Sequence, residues 1–142
     1  MEIQIHNLPD ALPGSPETWK KLVDSLIREL QMEVESLNIV FVDDATLQKM
    51  HLEYLNDPQK TDVITFDLSE GARIEGEIYI SSERAAEQAK EYGVPFAQEV
   101  LRLIIHGILH LKGFDDLEAQ DRKIMKQEEE RLVQKYWQEL AK

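Results

Sequence analysis

Two histidines four residues apart, a glycine three positions later and an aspartate three beyond that stand in the segment IIHGILHLKGFDD, residues 104–116. On a helix, side chains four apart lie one above the other, with about 5–6 Å between Cβ atoms, so His106 and His110 can direct both imidazoles at one ion. Gly113 permits a left-handed turn that reverses the chain toward them. Asp116 then supplies a carboxylate, and a His106, His110, Asp116 set leaves a coordination position open for water. The competing readings are a buried helix with two ordinary histidines, and Asp116 as the cap of the next helix with Asp115 as the ligand. The chemistry in prospect is hydrolysis assisted by one divalent cation, with zinc the expected ion.

These side chains need a helix to carry them. From Pro95 to Lys112, apolar residues such as Val100, Leu103, Ile105, Ile108 and Leu111 cover nearly the whole circumference, the pattern of a buried helix. Gln98, Arg102, His106 and His110 make one polar line along it, and burying that line without partners is costly, so it predicts a polar cleft or a ligand. Gly107 inside the helix costs about 1 kcal/mol relative to alanine, which predicts a close approach of something to the backbone there. Arg102, one turn before His106, is the candidate cation of that cleft, with a structural ion pair as its competing role. Asp115 is a candidate to orient a ligand histidine or to act as a base. His6 and His51 lack such a context and read as ordinary strand and helix-surface residues.

The rest of the chain must build a scaffold for that helix. EIQIH, LNIVFVDD, TDVITFDL and EIYIS read as four strands. Helices are predicted over ETWKKLVDSLIRELQ behind a Ser15–Pro16 start, over ATLQKMHLEYL behind Asp43 or Asp44, and over ERAAEQAKEY between Ser81 or Ser82 and Gly93. The Pro95–Lys112 helix and a long final one from Leu117 complete five, and NDPQK reads as a loop. Some strands are joined through a helix and others by a short turn, which favours a mixed four-stranded sheet packed with helices, an α+β single domain over residues 1–142.

Composition sets the outer limits. The 142 residues suit one core, and the absence of cysteine leaves His, Asp and Glu as the metal ligands. No apolar run reaches the roughly 18 residues of a membrane span, and the N-terminus lacks the pattern of a signal peptide, so no membrane partner and cytoplasmic residence are expected. The net charge of −12 weighs against a protein that works mainly by neutralising phosphates. A basic strip across Lys20, Lys21 and Arg28 would counter this if it faced the histidines.

The spacing His106-x3-His110-x2-Gly113-x2-Asp116 is similar to the metzincin motif H-E-x-x-H-x-x-G-x-x-H. Gly107 stands in the place of the glutamate base, and Asp116 in that of the third histidine. The metal set survives these changes, whereas proteolysis by that route loses its base.

TDVITF followed by GEIYIS, QA near a helix end, HGILHLKGFDD and MKQEEERLV together resemble the YbeY-type endoribonuclease family of bacterial rRNA maturation factors. The resemblance runs from about LNIVFVDD to the final helix. It implies a single-strand-specific, metal-dependent endoribonuclease acting in 16S rRNA 3′-end maturation and ribosome quality control. The implied partners are ribosomal RNA, the small ribosomal subunit and its assembly factors, and not DNA. By position, His106 and His110 become the first two metal ligands, Asp116 takes the place of a third histidine, and Asp115 matches the family aspartate beside it. Leu55 stands where the family has an arginine thought to contact phosphate, and Glu77, Ile64 and Thr65 are milder departures. Thr61 and Asp62 are candidates for the edge of the cleft. The alternative functions are a ribosome assembly factor with a structural metal, and a zincin-like metallohydrolase with another substrate.

Overall fold

The computed structural model of the chain describes residues 1–55 and 61–141; the NDPQK loop expected at 56–60 lies outside the described residues. The element order is β1 (Glu2–His6), α1 (Pro16–Glu29), β2 (Val34–Val42), α2 (Asp44–Leu55), β3 (Val63–Asp67), β4 (Ile74–Ser81), α3 (Ser82–Tyr92), α4 (Phe96–Lys112) and α5 (Ala119–Leu140). The four strands form one sheet in the order β1-β2-β4-β3. β1 and β2 are parallel, as are β2 and β4, while β3 runs antiparallel to β4 through the short connection between them. The α+β reading with a mixed sheet and five helices therefore holds.

Local chemistry accounts for the boundaries. Ser15 accepts from the Thr18 amide while its own amide donates to Thr18 Oγ1, a reciprocal cap before Pro16. Of the two aspartates before α2, Asp43 is the one whose carboxylate accepts from the Thr46 amide, at 2.7 Å. Ser81 caps α3, and Gly93 and Gly113 end α3 and α4 at φ 68° and 118°. β2 and β4 begin three residues earlier than expected, at Val34 and Ile74, and two helix ends differ by two residues. Helix α1 stops at Glu29 rather than Gln31, because Gln31 takes a positive φ of 55°. Helix α5 begins at Ala119 rather than Leu117, because Asp115 Oδ1 accepts from the Leu117 amide and holds a turn there.

On β2 and β4 one side of the alternation is buried, with Leu37, Ile39 and Phe41 beside Ile78 and Ile80, and Trp19, Leu26 and Ile27 of α1 join that core. Helix α4 packs against β3, β4, α3 and α5. Its seat on β4 is a reciprocal pair of notches: a Cβ at Gly107 would lie 2.8 Å from Ile78 Cδ1, and a Cβ at Gly76 would lie 2.7 Å from Leu111 Cδ1. The close approach expected at Gly107 is thus the sheet itself. Helix α5 is tied to α1 by Glu29, which accepts from Lys135, Tyr136 and Arg131 at 2.7–2.9 Å. Hydrogen bonds from Lys135 first, then Tyr136, hold its carboxyl down at about 2.

Gly107→Ala should destabilise the fold by about 1–2 kcal/mol, overpacking against Ile78 outweighing the gain in helix propensity. Adding Ile78→Val, which removes the nearest carbon, should recover most of the loss in urea unfolding; no loss in the single variant would contradict the seating.

Candidate metal centre and the adjoining cavity

The two histidine rings of α4 stand with centroids 4.7 Å apart and planes at 80°. Their Nε2 atoms face each other at 3.1 Å. On the outer side, His106 Nδ1 meets Glu129 Oε1 of α5 at 2.8 Å, and His110 Nδ1 meets the Phe114 carbonyl at 3.2 Å. A carboxylate and a carbonyl accept, so both Nδ1 atoms donate, and in the neutral rings both Nε2 lone pairs point inward. Two lone pairs at that distance call for a proton or a cation between them. Two nitrogens bound to one zinc at about 2.0–2.1 Å in tetrahedral geometry lie roughly 3.3 Å apart, close to this spacing. Asp116 Oδ2 is 3.6 Å from His110 Nε2. Ligand atoms of His106, His110 and Asp116 all lie within 4.8 Å of one another, so the three could hold a metal ion.

The turn after α4 builds half of this arrangement. Gly113 in its left-handed conformation lets the Phe114 amide donate back to the Leu109 carbonyl, and the Phe114 carbonyl then lies against His110. The other half comes from α5, where buried Glu129 sits in line with Met125, Leu132, Val133 and Tyr136. Arg102 donates to Glu130 at 2.6 Å and to Glu129 at 3.2 Å, and Lys126 lies 3.7 Å from each. Burial alone would raise the Glu129 carboxyl, but the His106 hydrogen bond and the charges of His106, Arg102 and Lys126 hold it below the usual carboxylate range. Burial opposes the charged form of His106, yet Glu129, Asp62 and Asp116 outweigh it and raise its pKa. For His110, burial and then the His106 charge prevail and lower it.

Two cavities meet at these residues. One, of about 390 Å³, is lined by Leu55, Thr61, Asp62, Val63, Ile64, Thr65, His106, His110 and Asp116. The other, of about 480 Å³, shares Asp62 and His106 and extends past Arg102, Glu99, Gln88 and Tyr92. Gln48 of α2 clamps the Thr61 backbone with two hydrogen bonds of 2.9 and 3.0 Å, and Gln88 of α3 donates to Asp62 at 3.1 Å. Those contacts fix the wall between the cavities.

The structure brings His106, His110 and Asp116 together and separates the neighbouring acid from them. Asp115 is spent on the Leu117 turn and lines neither histidine cavity, so the acceptors that orient the imidazoles are Glu129 and Phe114 in the place expected for it. Arg102 has the contacts of the ion-pair reading, with its guanidinium held by two carboxylates on α5 and with Glu99 at 3.7 Å. Leu55 does line the histidine cavity, at the position where the resemblance places an arginine. Lys20, Lys21 and Arg28 line neither cavity, and Lys20 and Arg28 pair with Glu17 and Asp24. Glu129 and Glu99 were not expected from the sequence. The signal for Glu129 is an acid at a buried position of the α5 stripe, and for Glu99 an acid on an otherwise apolar helix.

Asp116→Ala should abolish zinc binding, and Glu129→Ala should weaken it by roughly 10- to 100-fold by releasing the His106 ring. Asp115→Ala should leave affinity within about twofold, because its contact is with the backbone. Competition with a chromogenic chelator measures all three, and full retention by the Asp116 variant would exclude it as a ligand. Glu99 gives a pH test. Burial, partly offset by Arg102, pushes its carboxyl from 4.5 up to about 7, so the folded state holds the proton more tightly than the unfolded state. Stability should therefore fall as pH rises from about 4.5 through about 7, by roughly 3 kcal/mol at most. Glu99→Gln should remove that component from urea midpoints measured across the window.

The family model described as endoribonuclease YbeY matches residues 4–137. Endoribonuclease YbeY of Christiangramia forsetii is 33% identical over 132 residues, covering 93% of this chain and 92% of its own length. The protein of the same name from Flavobacterium psychrophilum is 41% identical over 108 residues, 76% of this chain and 77% of its own. A solution structure of a Thermotoga maritima protein matches with a TM-score of 0.68 at 28% identity, over 96% of this chain and 90% of that one. With the motif, the fold and nearly the whole length in agreement, the chain belongs to the endoribonuclease YbeY family.

Proposed function

We propose that the protein is a single-strand-specific endoribonuclease that uses zinc at His106, His110 and Asp116, acts in the cytoplasm in 16S rRNA 3′-end maturation and ribosome quality control, and works beside the small ribosomal subunit and its assembly factors. Family membership supports hydrolysis of RNA. The ribosomal target rests on the resemblance of TDVITF, GEIYIS and HGILHLKGFDD to the rRNA maturation factors.

The observation that carries the catalytic reading is the pair of inward lone pairs, His106 Nε2 and His110 Nε2, 3.1 Å apart at the wall of an open cavity. The chemistry a bound divalent ion supplies there is Lewis acidity toward a phosphoryl oxygen and the attacking water. Glu129 keeps the His106 proton on Nδ1, and the Phe114 carbonyl does the same for His110, so each ring presents the same nitrogen to the cavity. Arg102 acts one step behind: its guanidinium balances Glu129 and Glu130 and so holds the acceptor of His106 in place. Asp62, on the shared wall, is set by Gln88 and by the Gln48 clamp on Thr61.

One observation favours the second reading, an assembly factor with a structural metal. Among the described residues, the cations lining the two cavities are Arg102 and Lys126, and both already pair with carboxylates. Incubating the zinc-loaded protein with single-stranded RNA and with a casein-derived peptide separates the readings. RNA cleavage reduced by roughly 10²-fold or more in His110→Ala is the expected result. Peptide cleavage would overturn the nuclease, and cleavage of neither substrate would favour the assembly factor.

A further inference from the structure

The larger cavity holds two buried acceptors without partners. Among the described residues, Gln88 Oε1 and Glu99 Oε1 are the buried side-chain polar atoms that make no hydrogen bond, and both residues line this one cavity. Glu99 is 2% exposed, and its nearest cation, Arg102 Nε, stands at 3.7 Å, beyond hydrogen-bond reach. The orientation of Gln88 is set by Asp62: a carboxylate accepts, so the amide nitrogen faces Asp62 and the oxygen is left over. An unpaired buried acceptor is unfavourable, and two on one cavity ask for a ligand rich in N–H donors. Glu99 itself lines the cavity, and the last bond of its side chain is a soft torsion that lets either oxygen meet a donor.

The rest of the cavity narrows the chemistry of that ligand. Tyr92 lines it and is 62% exposed, an aromatic face free to stack on a planar ring. Lys126 is loosely held, 64% exposed and 3.7 Å from its carboxylates, so its ammonium can reach an acceptor on the ligand. A phosphate is disfavoured beside Glu99, Glu129 and Glu130. A second metal is disfavoured too, because among the described residues His106, His110 and Asp116 form the group with metal-ligand spacing, and no such group lies among these acids. The cavity also shares Asp62 and His106 with the cavity at His110 and Asp116, so its occupant would lie beside a phosphate bound there.

We infer that this cavity binds the guanine base of a nucleotide flanking the scissile phosphate, with Glu99 and Gln88 accepting from its N1–H and N2 amino group and Tyr92 stacked on the ring. The inference rests on the endoribonuclease reading and adds a base preference to it. Guanine sets two adjacent N–H donors on its pairing edge, with the O6 acceptor beside them for Lys126. Uracil offers one N–H between two carbonyls, which would face the carboxylates.

The test compares cleavage of a uridine-only strand, the same strand with one guanosine, and the same strand with inosine, which lacks the N2 amino group. Zinc-loaded wild-type protein should cut beside guanosine with kcat/KM roughly tenfold or more above the uridine strand, and inosine should fall between. In Glu99→Leu and in Gln88→Leu, which remove the acceptors, the ratio should drop to within about twofold. Each ratio is taken within one variant, so folding and metal loading cancel. Tyr92→Ala, at an exposed position, should also reduce the ratio and serves if the buried variants do not fold.

Equal cutting of all three strands would overturn the guanine site and leave the nuclease standing. Cutting of none would overturn the nuclease, and fluorescence anisotropy on the same strands then decides the site alone. Tighter binding of the guanosine strand, lost in Tyr92→Ala, supports it; equal binding overturns it. A second zinc ion per chain that disappears in Glu99→Gln would replace the base with a cation and overturn the proposal.

Discussion

Helix α4 can face the sheet in one rotation only, because Gly107 receives Ile78 and Gly76 receives Leu111. A helix carrying apolar residues nearly all round has no strong preference for one face from hydrophobicity alone. Steric notches supply what polarity leaves open. With Gly107 pressed on β4, His106 on the adjacent position and His110 one turn further are carried to the cavity beside β3. The glycine in the place of a metzincin base is therefore occupied by packing as well as absent from the chemistry. A carboxylate there would have to displace a fully buried Ile78.

Once α4 is seated, the remaining problem is to keep two imidazoles aimed inward, and the fold solves it twice by different means. His110 is held by a backbone carbonyl four residues on, so its restraint comes with the Gly113 turn. His106 is held by a side chain from another helix, and so depends on where α5 lies. The Glu29 cluster pins α5 to the end of α1, and Arg102 with Lys126 offsets the charge that Glu129 brings into a buried place. A buried carboxylate without such partners would be protonated, and would cease to be a pure acceptor for His106.

This difference explains what could be read in the sequence. His106, His110, Gly113 and Asp116 lie within eleven consecutive residues, and helix periodicity plus a left-handed turn relates them without tertiary knowledge. The sheet's mixed character also followed from connection lengths, although the neighbours β2 and β4 did not, since a helix and a strand separate them. Glu129 was hidden among the acids of KQEEERL, where its burial distinguishes it and its composition does not. The choice between Asp115 and Asp116 hinged on which one would stabilise the turn. The Leu117 amide takes Asp115 and leaves the next carboxylate free to point at His110. Arg102 had two physically sound roles, and the position of α5 determined its contacts.

The net charge of −12 looks wrong for a protein that handles RNA, and the local arrangement shows how the two coexist. Phosphate responds to charge within about a Debye length, roughly 8–10 Å, so distant surface acids matter less than the site. Near the histidines, Glu129 and Glu130 are balanced by Arg102 and Lys126, and Leu55 adds no charge at the cavity mouth. The ligand set is two neutral imidazoles and one carboxylate, so a divalent ion bound there leaves a local positive charge. Leu55 brings no charge to this cavity, so a divalent ion at His106, His110 and Asp116 would be its main attraction for phosphate. Contacts to bases, which carry no charge, are then the natural way for an acidic protein to hold a nucleic-acid strand beside such a site.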